Sequence, residues 1–301
     1  MVGQEAPGAA RGVKSGRFRH FVAIDWSGAK GARQNGIAIA ICQAGSAAPE
    51  LVRPEHRWSR GEVLDWLQSD LPPEALVGLD LSPGLPFNDA KAYFPGWDQS
   101  PKDAKSLWQL IDEIAEGDDH LAATSVVSHP ELRRHFRHGK HDCGDHFTGG
   151  AGRMRATEIR QRNHRLTPSS CFNLVGAAQV GKSSLTGMRM LHRLQGAVPV
   201  WPFDDLPDRG SVLVEIYTSL AARQAKIPPG RAKMLTGTAL DGALHELGVS
   251  RHVPLTRYTD HATDAILTSA WLRLAAHEPA LWSPAGLNQV AQTEGWTFGV
   301  T

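Results

Sequence analysis

The chain has 301 residues, of which 41% are hydrophobic, enough to bury the core of one large domain or two small ones. Its 32 Lys and Arg balance 31 Asp and Glu, so no whole-molecule charge points to nucleic acid, and any such signal must be local. Three widely spaced cysteines argue against a disulfide framework and favour a reducing compartment. No apolar run approaches the roughly 18–20 residues of a membrane span. We therefore expect a cytoplasmic protein without a membrane partner.

The first 17 residues lack the apolar centre of a signal peptide and predict a disordered leader. A single domain is expected over 18–301. Its first strand is the buried run from Phe21 to Ile24, which ends at Asp25. Further strands are predicted over 37–42, around 51–58, in the run that ends at Asp80, and in SVLVEIY, which holds Glu215. These runs indicate an α/β fold with a mixed five-stranded sheet and helices on both faces.

Helices are predicted after Ser59, which is a suitable N-cap, and over 103–114, 183–194, 236–247 and 259–276. A short strand is expected over 171–175, and an edge strand in the C-terminal EGWTFGV. Residues 129–170 differ in kind, because they hold nine Lys and Arg against four Asp and Glu, and six of the 14 histidines. Their weak apolar periodicity predicts an insertion or a mobile flap.

Acidic side chains recur at the ends of the predicted core elements. Asp25 and Asp80 each end a buried run, Glu215 lies within a third, and Asp260 and Asp264 are one helical turn apart. A buried carboxylate needs a partner, which for Asp25 is either a structural turn at Ser27 and Gly28 or a cation. Several acids at such positions suggest one shared site.

Four ionised carboxylates do not converge without cations, because like charges raise each other's pKa. Mg²⁺ or Mn²⁺ resolves the repulsion, since both favour oxygen ligands and leave room for phosphate oxygens. Two such ions activate a water and stabilise the leaving oxygen in phosphodiester hydrolysis. The pattern therefore favours a metal-dependent nuclease with Asp25, Asp80, Glu215 and Asp264 as catalytic acids.

Two resemblances support this interpretation. The order of strands and the Asp at the end of the first strand resemble the ribonuclease-H-like fold, and His261-Ala262-Thr263-Asp264-Ala265 resembles the acidic last helix of its Holliday-junction-resolvase-type members. More widely, the chain resembles the domain of unknown function 429 family in the segments FVAIDWSG, VGLDLSPGLP, FNLVGAAQVGKSSL, VPVWPFD, VLVEIY, HATDAILTSAW and EGWTFGV. The resemblance implies a nuclease of that fold. Its acidic set is Asp25, Asp80, Glu215 and Asp264, with Asp260 as a less certain fifth acid and with Asp25, Asp80 and Asp264 as the metal ligands.

Residues 176–183 match GxxxxGK[ST], the pattern of a phosphate-binding loop, through Gly176, Gly181, Lys182 and Ser183. In this interpretation the loop follows a short strand and opens a helix. However, a P-loop domain normally begins with this unit, whereas four predicted strands precede it here. We expect Lys182 to contact a substrate phosphate or to cap structure, and a true ATPase remains the alternative.

The basic segment offers two further candidate sites. His129, His135, His138, His141, Cys143 and His146 include pairs at chelating spacing, so zinc is one interpretation and a solvated loop the other. The arginines and lysine of the segment are the best candidate for phosphate contacts, with a solvated face as the alternative: Arg133, Arg134, Arg137, Lys140, Arg153, Arg155, Arg160, Arg162 and Arg165.

We therefore expect a nuclease that acts on DNA or RNA with Mg²⁺ or Mn²⁺. A P-loop or actin-like nucleotide hydrolase or kinase is the first alternative. A nucleic-acid-binding or scaffold protein without activity is the second. The sequence leaves open the nucleic acid, the oligomeric state and whether the GxxxxGKS segment binds nucleotide.

Overall fold

A strand of almost uninterrupted apolar side chains, β1, lies at the centre of a mixed sheet. The computed structural model describes residues 16–147, 150–176, 179–228 and 234–301, so most of the predicted leader lies outside the described residues. The strands are β1 His20–Asp25, β2 Ala38–Gln43, β3 Glu50–Leu51, β4 Ala75–Asp80, β5 Val200–Trp201 and β6 Val212–Glu215.

The sheet has the order β3-β2-β1-β4-β6-β5. β2 runs antiparallel to both β1 and β3, whereas β1, β4, β6 and β5 are parallel to one another. The predicted mixed α/β sheet is confirmed, but it has six strands rather than five. The additional strand is β5, which pairs with β6 through only two residues.

The helices are α1 Arg60–Ser69, α2 Ala104–Ile114, α3 Thr124–Ser128, α4 Ala156–Asn163, α5 Val180–Arg193, α6 Thr218–Gln224, α7 Gly237–Glu246, α8 Asp260–Ala275, α9 Pro279–Trp282 and α10 Leu287–Val290. Short 3-10 turns span Asp119–Leu121 and Leu132–His135. The five long helices expected from the sequence are all present. Of the described helices, none is long and apolar enough to cross a membrane.

Alternation along β1 builds two hydrophobic cores. Val22 and Ile24 face one core, with α1, α2 and α5, while Phe21 and Ala23 face the other, with α7 and α8. Both faces of the sheet are therefore covered, and because of this the sequences of the parallel strands are almost continuously apolar.

Three predicted strands are shorter than expected or absent. The strand predicted around 51–58 is limited to β3, and the residues after it form turns. The predicted strand at 171–175 is reduced to one bridge between Asn173 and Arg137, and the predicted C-terminal edge strand to one between Thr297 and Glu215. The C-terminal segment does bury the alternating side chains of Trp296, Phe298 and Val300, but turns and side-chain contacts hold it in place of a strand ladder.

The segment predicted as an insertion or mobile flap is packed into the domain in its described part. Leu132 and Phe136 are fully buried in the first core, and Arg155 and Glu158 are buried beside the sheet. A turn that joins Arg137 to Cys143 by a single antiparallel bridge projects from this region. It carries His138 and leaves Cys143 exposed.

Candidate functional site

Two of the predicted acids end neighbouring strands at the same edge of the sheet. Asp25 is the last residue of β1, Asp80 is the last residue of β4, and the two are directly paired across the parallel ladder. Adjacent parallel strands lie about 4.8 Å apart, so the two carboxyl groups leave the sheet side by side. This is the arrangement expected from the two buried runs.

Asp264 approaches from the helix that covers one face of β1. Thr259 caps α8 by accepting a hydrogen bond from the Ala262 N–H at 3.2 Å, and Asp264 follows in the second turn. The buried residues of α8, such as Ala265 and Ile266, pack in the same core as Phe21 and Ala23. The helix is therefore fixed against the strand that carries Asp25.

The charges of the other three predicted acids act on the carboxyl group of Asp80. Burial raises the pKa of Asp80 well above its usual value, and the charges of Asp25, Asp264 and Glu215 raise it further. Asp80 lines a pocket of about 240 Å³, which we name the acidic pocket, with Glu158, Glu215 and Arg155 also in its wall. The acids predicted to converge are therefore close enough for their charges to act on Asp80. Their catalytic role is a separate question, which belongs to the proposed function.

His261 contacts the first of these acids. Its Nδ1 lies 3.2 Å from Oδ2 of Asp25, and the ring packs so closely on Gly36 that a Cβ there would lie 3.2 Å from the ring. His261 also lines a larger, neighbouring pocket of about 930 Å³. The sequence placed His261 in the resolvase-like segment but did not single it out as a site residue.

Glu215 occupies a different environment from the three aspartates. Both of its carboxylate oxygens accept hydrogen bonds from Arg155, at 2.6 and 2.8 Å, and Thr297 donates a third at 2.7 Å. In such a setting the carboxylate already has a cation as its partner. Glu215 therefore lies among the acids as predicted, but its oxygens are engaged by a guanidinium.

Arg155 uses all five of its N–H groups inside the protein. Besides the bonds to Glu215, it donates to Glu158 at 2.9 Å, to Ser82 at 3.0 Å and to the carbonyl of Glu294 at 3.0 Å. Burial alone lowers its pKa, but the charges of Glu215 and Glu158 outweigh burial and raise it. Arg155 was predicted as a phosphate contact; with only 1% of its surface exposed, it instead holds the wall of the acidic pocket.

The GxxxxGKS segment does not have the context predicted for it. Helix α5 does begin within the segment. Among the described residues just before it there is no strand, only the single bridge of Asn173, and Ala177 and Ala178 lie outside the described residues. The Gly181 N–H donates to the carbonyl of Asn173 at 3.0 Å, so this amide is not available to a phosphate. Gly181 is needed because a Cβ there would overlap the carbonyl of Cys171.

Lys182 and Ser183 line different pockets, although they are adjacent in the sequence. Ser183 lines the acidic pocket, whereas Lys182 lines a separate one beside the turn that follows β1. In a P-loop both side chains serve one nucleotide phosphate and its Mg²⁺. The geometry is therefore unlike that of a P-loop.

The basic segment holds several internal ion pairs. Arg134 pairs with Asp145 at 2.8 Å, and Arg153 donates to Asp89 at 2.9 Å. Among the predicted zinc ligands, the rings of His135 and His146 stack at 4.9 Å, and His135 is buried. Pairing and burial leave fewer of these side chains for a ligand than the composition predicted.

Within the ranges that the structure describes, no three side chains of His, Cys, Asp or Glu are grouped so that they could hold a metal ion. The donor chemistry of Asp25, Asp80 and Asp264 nevertheless fits Mg²⁺ or Mn²⁺, because it consists of carboxylate oxygens, two at one edge of the sheet and one on α8.

Comparisons with protein-family models, with curated proteins and with solved structures found no match. The assignment of a function therefore depends on the site itself.

Proposed function

We propose that this chain is a metal-dependent phosphodiesterase that hydrolyses nucleic acid on a ribonuclease-H-like sheet. The observation that carries the proposal is the direct pairing of Asp25 with Asp80 at the carboxyl ends of adjacent parallel strands. The strand order, with an antiparallel β3-β2-β1 meander continued by parallel β4, supports the fold assignment. We also propose that the chain is a member of the domain of unknown function 429 family, which its sequence resembles.

Asp25, Asp80 and Asp264 would hold Mg²⁺ or Mn²⁺. When bound, the cation supplies the charge that activates a water and stabilises the leaving oxygen of a phosphodiester. The protein contributes the position of the carboxylates, which β1, β4 and α8 fix from three directions. It also contributes the Arg155–Glu215 pair, which neutralises one of the four acids and so lowers the repulsion at the site.

His261 has a positioning role in this proposal. Its contact with Asp25 at 3.2 Å restricts the orientation of that carboxylate. A cytoplasmic location remains part of the proposal, because Cys42, Cys143 and Cys171 are all free thiols.

The decisive experiment measures cleavage of single- and double-stranded DNA and RNA in Mg²⁺, in Mn²⁺ and in EDTA. We expect Asp25→Asn, Asp80→Asn and Asp264→Asn each to lower cleavage by at least about 100-fold, because each removes one ligand charge. Asp65→Asn, on the exposed face of α1, is the matched control. Calorimetric titration of Mn²⁺ into the same proteins measures ion binding independently of activity.

Full cleavage by a folded Asp25→Asn or Asp264→Asn protein would remove the assignment. Absence of both cleavage and Mn²⁺ binding in the wild-type protein would favour a nucleic-acid-binding protein without activity. Lys182 and Ser183 line different pockets, which weighs against the alternative of a P-loop nucleotide hydrolase.

A further inference from the structure

The pocket that Lys182 lines lies beside the turn that follows β1 and is distinct from the acidic pocket. It has a volume of about 280 Å³ and is bounded by this turn, by α3 and by the first two turns of α5. The turn rests directly on α5, because a Cβ at Gly28 would overlap the backbone of Lys182 and Ser183. The indole of Trp26 donates to Thr186 at 3.0 Å and so joins the walls of the two pockets.

Two lysines give this pocket its positive charge. Lys30 and Lys182 enter it from the turn and from α5, and His138 enters from the projecting turn that also carries Cys143. Among the described residues that line it there is no Asp or Glu, in contrast to the acidic pocket. In the part of the chain that the structure describes, neither lysine forms an ion pair. We name it the cationic pocket.

Hydroxyl groups and an apolar floor complete the cationic pocket. Thr124 and Ser128 are four residues apart on α3 and therefore lie on one face of that helix. Ala123, Val127 and Leu185 form much of the remaining wall. Two ammonium groups with hydroxyl donors suit a phosphate group, and the apolar wall suits the organic body to which it is attached.

We propose that the cationic pocket binds a phosphate group carried by a nucleoside, either a mononucleotide or the phosphorylated end of a nucleic acid strand. Lys182 and Lys30 contact the phosphate, and the apolar wall receives the sugar or base. This assigns Lys182 of the GxxxxGKS segment to phosphate binding without a P-loop, and it excludes Ser183 from that role.

This inference does not depend on the proposed nuclease activity. The proposed nuclease site needs a divalent cation, whereas the cationic pocket has its own positive charge from two lysines. Binding measured in EDTA therefore reports the cationic pocket alone, and each proposal can fail while the other stands.

Calorimetric titration of AMP in EDTA is the test. We expect AMP to bind, and adenosine and inorganic phosphate each to bind at least about 10-fold more weakly, because each lacks one half of the ligand. Lys182→Gln and Lys30→Gln should each weaken AMP binding about 10-fold or more, since each removes a charge-assisted hydrogen bond. Lys102→Gln, an exposed lysine outside the pocket, is the control and should bind AMP like the wild-type protein.

A 5′-phosphorylated trinucleotide distinguishes the two sources of the phosphate. Tighter binding than AMP identifies a strand end, and equal binding identifies a mononucleotide. Lys30 lies in an exposed turn, so Lys30→Gln gives a folded variant even if Lys182→Gln unfolds, which a thermal melt would show. The proposal is overturned if neither AMP nor the trinucleotide binds, or if their affinities are unchanged in both folded lysine variants.

Discussion

Arg155 decides the electrostatic balance beside the candidate site. One guanidinium lies between the buried carboxylates of Glu215 and Glu158, with side-chain exposures of 1%, 4% and 3%. Two buried acids facing one base leave a surplus negative charge, and burial accordingly raises the pKa of Glu158 although Arg155 opposes this. The network gives the Glu215 carboxylate three hydrogen bonds, two from Arg155 and one from Thr297, at a position next to the three aspartates.

Removal of Arg155 should therefore destabilise the protein strongly. Arg155→Ala leaves two carboxylates buried without their cation, which costs about 3–5 kcal/mol of unfolding free energy. Urea unfolding at neutral pH measures this loss. Arg162→Ala, an exposed arginine on the same helix, should change stability by less than about 0.5 kcal/mol. An Arg155→Ala protein as stable as the Arg162→Ala control would show that the network contributes nothing.

At the scale of single residues, the sequence predicted which acids meet but not what neutralises them. Asp25 and Asp80 follow buried runs, so the rules of strand pairing bring them together. Arg155 lies in a segment with little apolar periodicity, and Glu215 follows 60 residues later at the end of β6. Their pairing follows from tertiary packing alone. A buried arginine leaves no local signal, because its short-range sequence context resembles that of a solvated basic face.

Among the elements, α1 is the one that shapes the turn after β1. Ser59 and Glu62 cap this helix reciprocally, which fixes its first residue, Arg60. The Arg60 guanidinium is buried and donates to the carbonyl groups of Ser27, Ala29 and His120. Burial and the nearby charge of Arg189 lower the pKa of Arg60 to about 10, which still leaves it charged at neutral pH.

Arg60→Leu should loosen the turn and weaken ligand binding in the cationic pocket. Loss of the guanidinium leaves three carbonyl groups without their donor and should cost about 2–4 kcal/mol of unfolding free energy. AMP affinity should fall as well, since the turn positions Lys30. Urea unfolding and calorimetry measure the two effects. Arg57→Leu, an exposed neighbour that the helix does not bury, is the control. Unchanged AMP affinity in Arg60→Leu would mean that α1 does not position the turn.

The elements show which local signals the sequence carries. Long helices were predictable because polar caps begin them and an apolar face repeats through them, as in α2, which Asp103 caps. The two-residue strand β5 was not predicted, because two residues are too few to show alternation, and β3 was predicted longer than its two residues. Val200 and Trp201 lie between prolines, a context that does not favour a strand in the interior of a sheet.

Over the whole molecule, the C-terminal segment joins distant parts of the chain. The Glu294 carboxylate accepts hydrogen bonds from the N–H groups of Phe87, Asn88 and Ala156, at 2.6 to 2.7 Å. Thr297 then bonds to Glu215 at the sheet. Trp296 and Phe298 are buried in the second core. The C-terminal segment thus ties together parts of the chain that are far apart in sequence, and we expect the described domain to unfold cooperatively.

Global stability should fall in acid partly because of His135. Burial, together with the nearby His146, Arg153 and Arg134, lowers the pKa of this histidine to about 4, against the opposing charge of Asp145. Between the ordinary value of 6.5 and about 4, the unfolded chain binds a proton that the folded protein refuses. Stability from this group is therefore complete above pH 6.5 and is lost as the pH falls through that window.

His135→Phe removes this contribution and keeps an aromatic ring against Phe94 and Phe172. The wild-type protein should lose up to about 3 kcal/mol more than the variant between pH 7 and pH 4. Urea unfolding at several pH values measures the difference. His277→Phe, at an exposed position, should follow the wild-type curve. Parallel curves for wild-type and His135→Phe would contradict the prediction.

The unequal exposure of the three thiols makes the protein simple to label. Cys42 and Cys171 are buried, and burial raises the pKa of both thiols, whereas Cys143 is exposed. A maleimide dye would therefore attach at one position in the native protein, without prior removal of the other cysteines. That position shares a turn with His138, at the edge of the cationic pocket. A fluorophore there would report occupancy of the pocket in real time, at protein concentrations far below those that calorimetry requires.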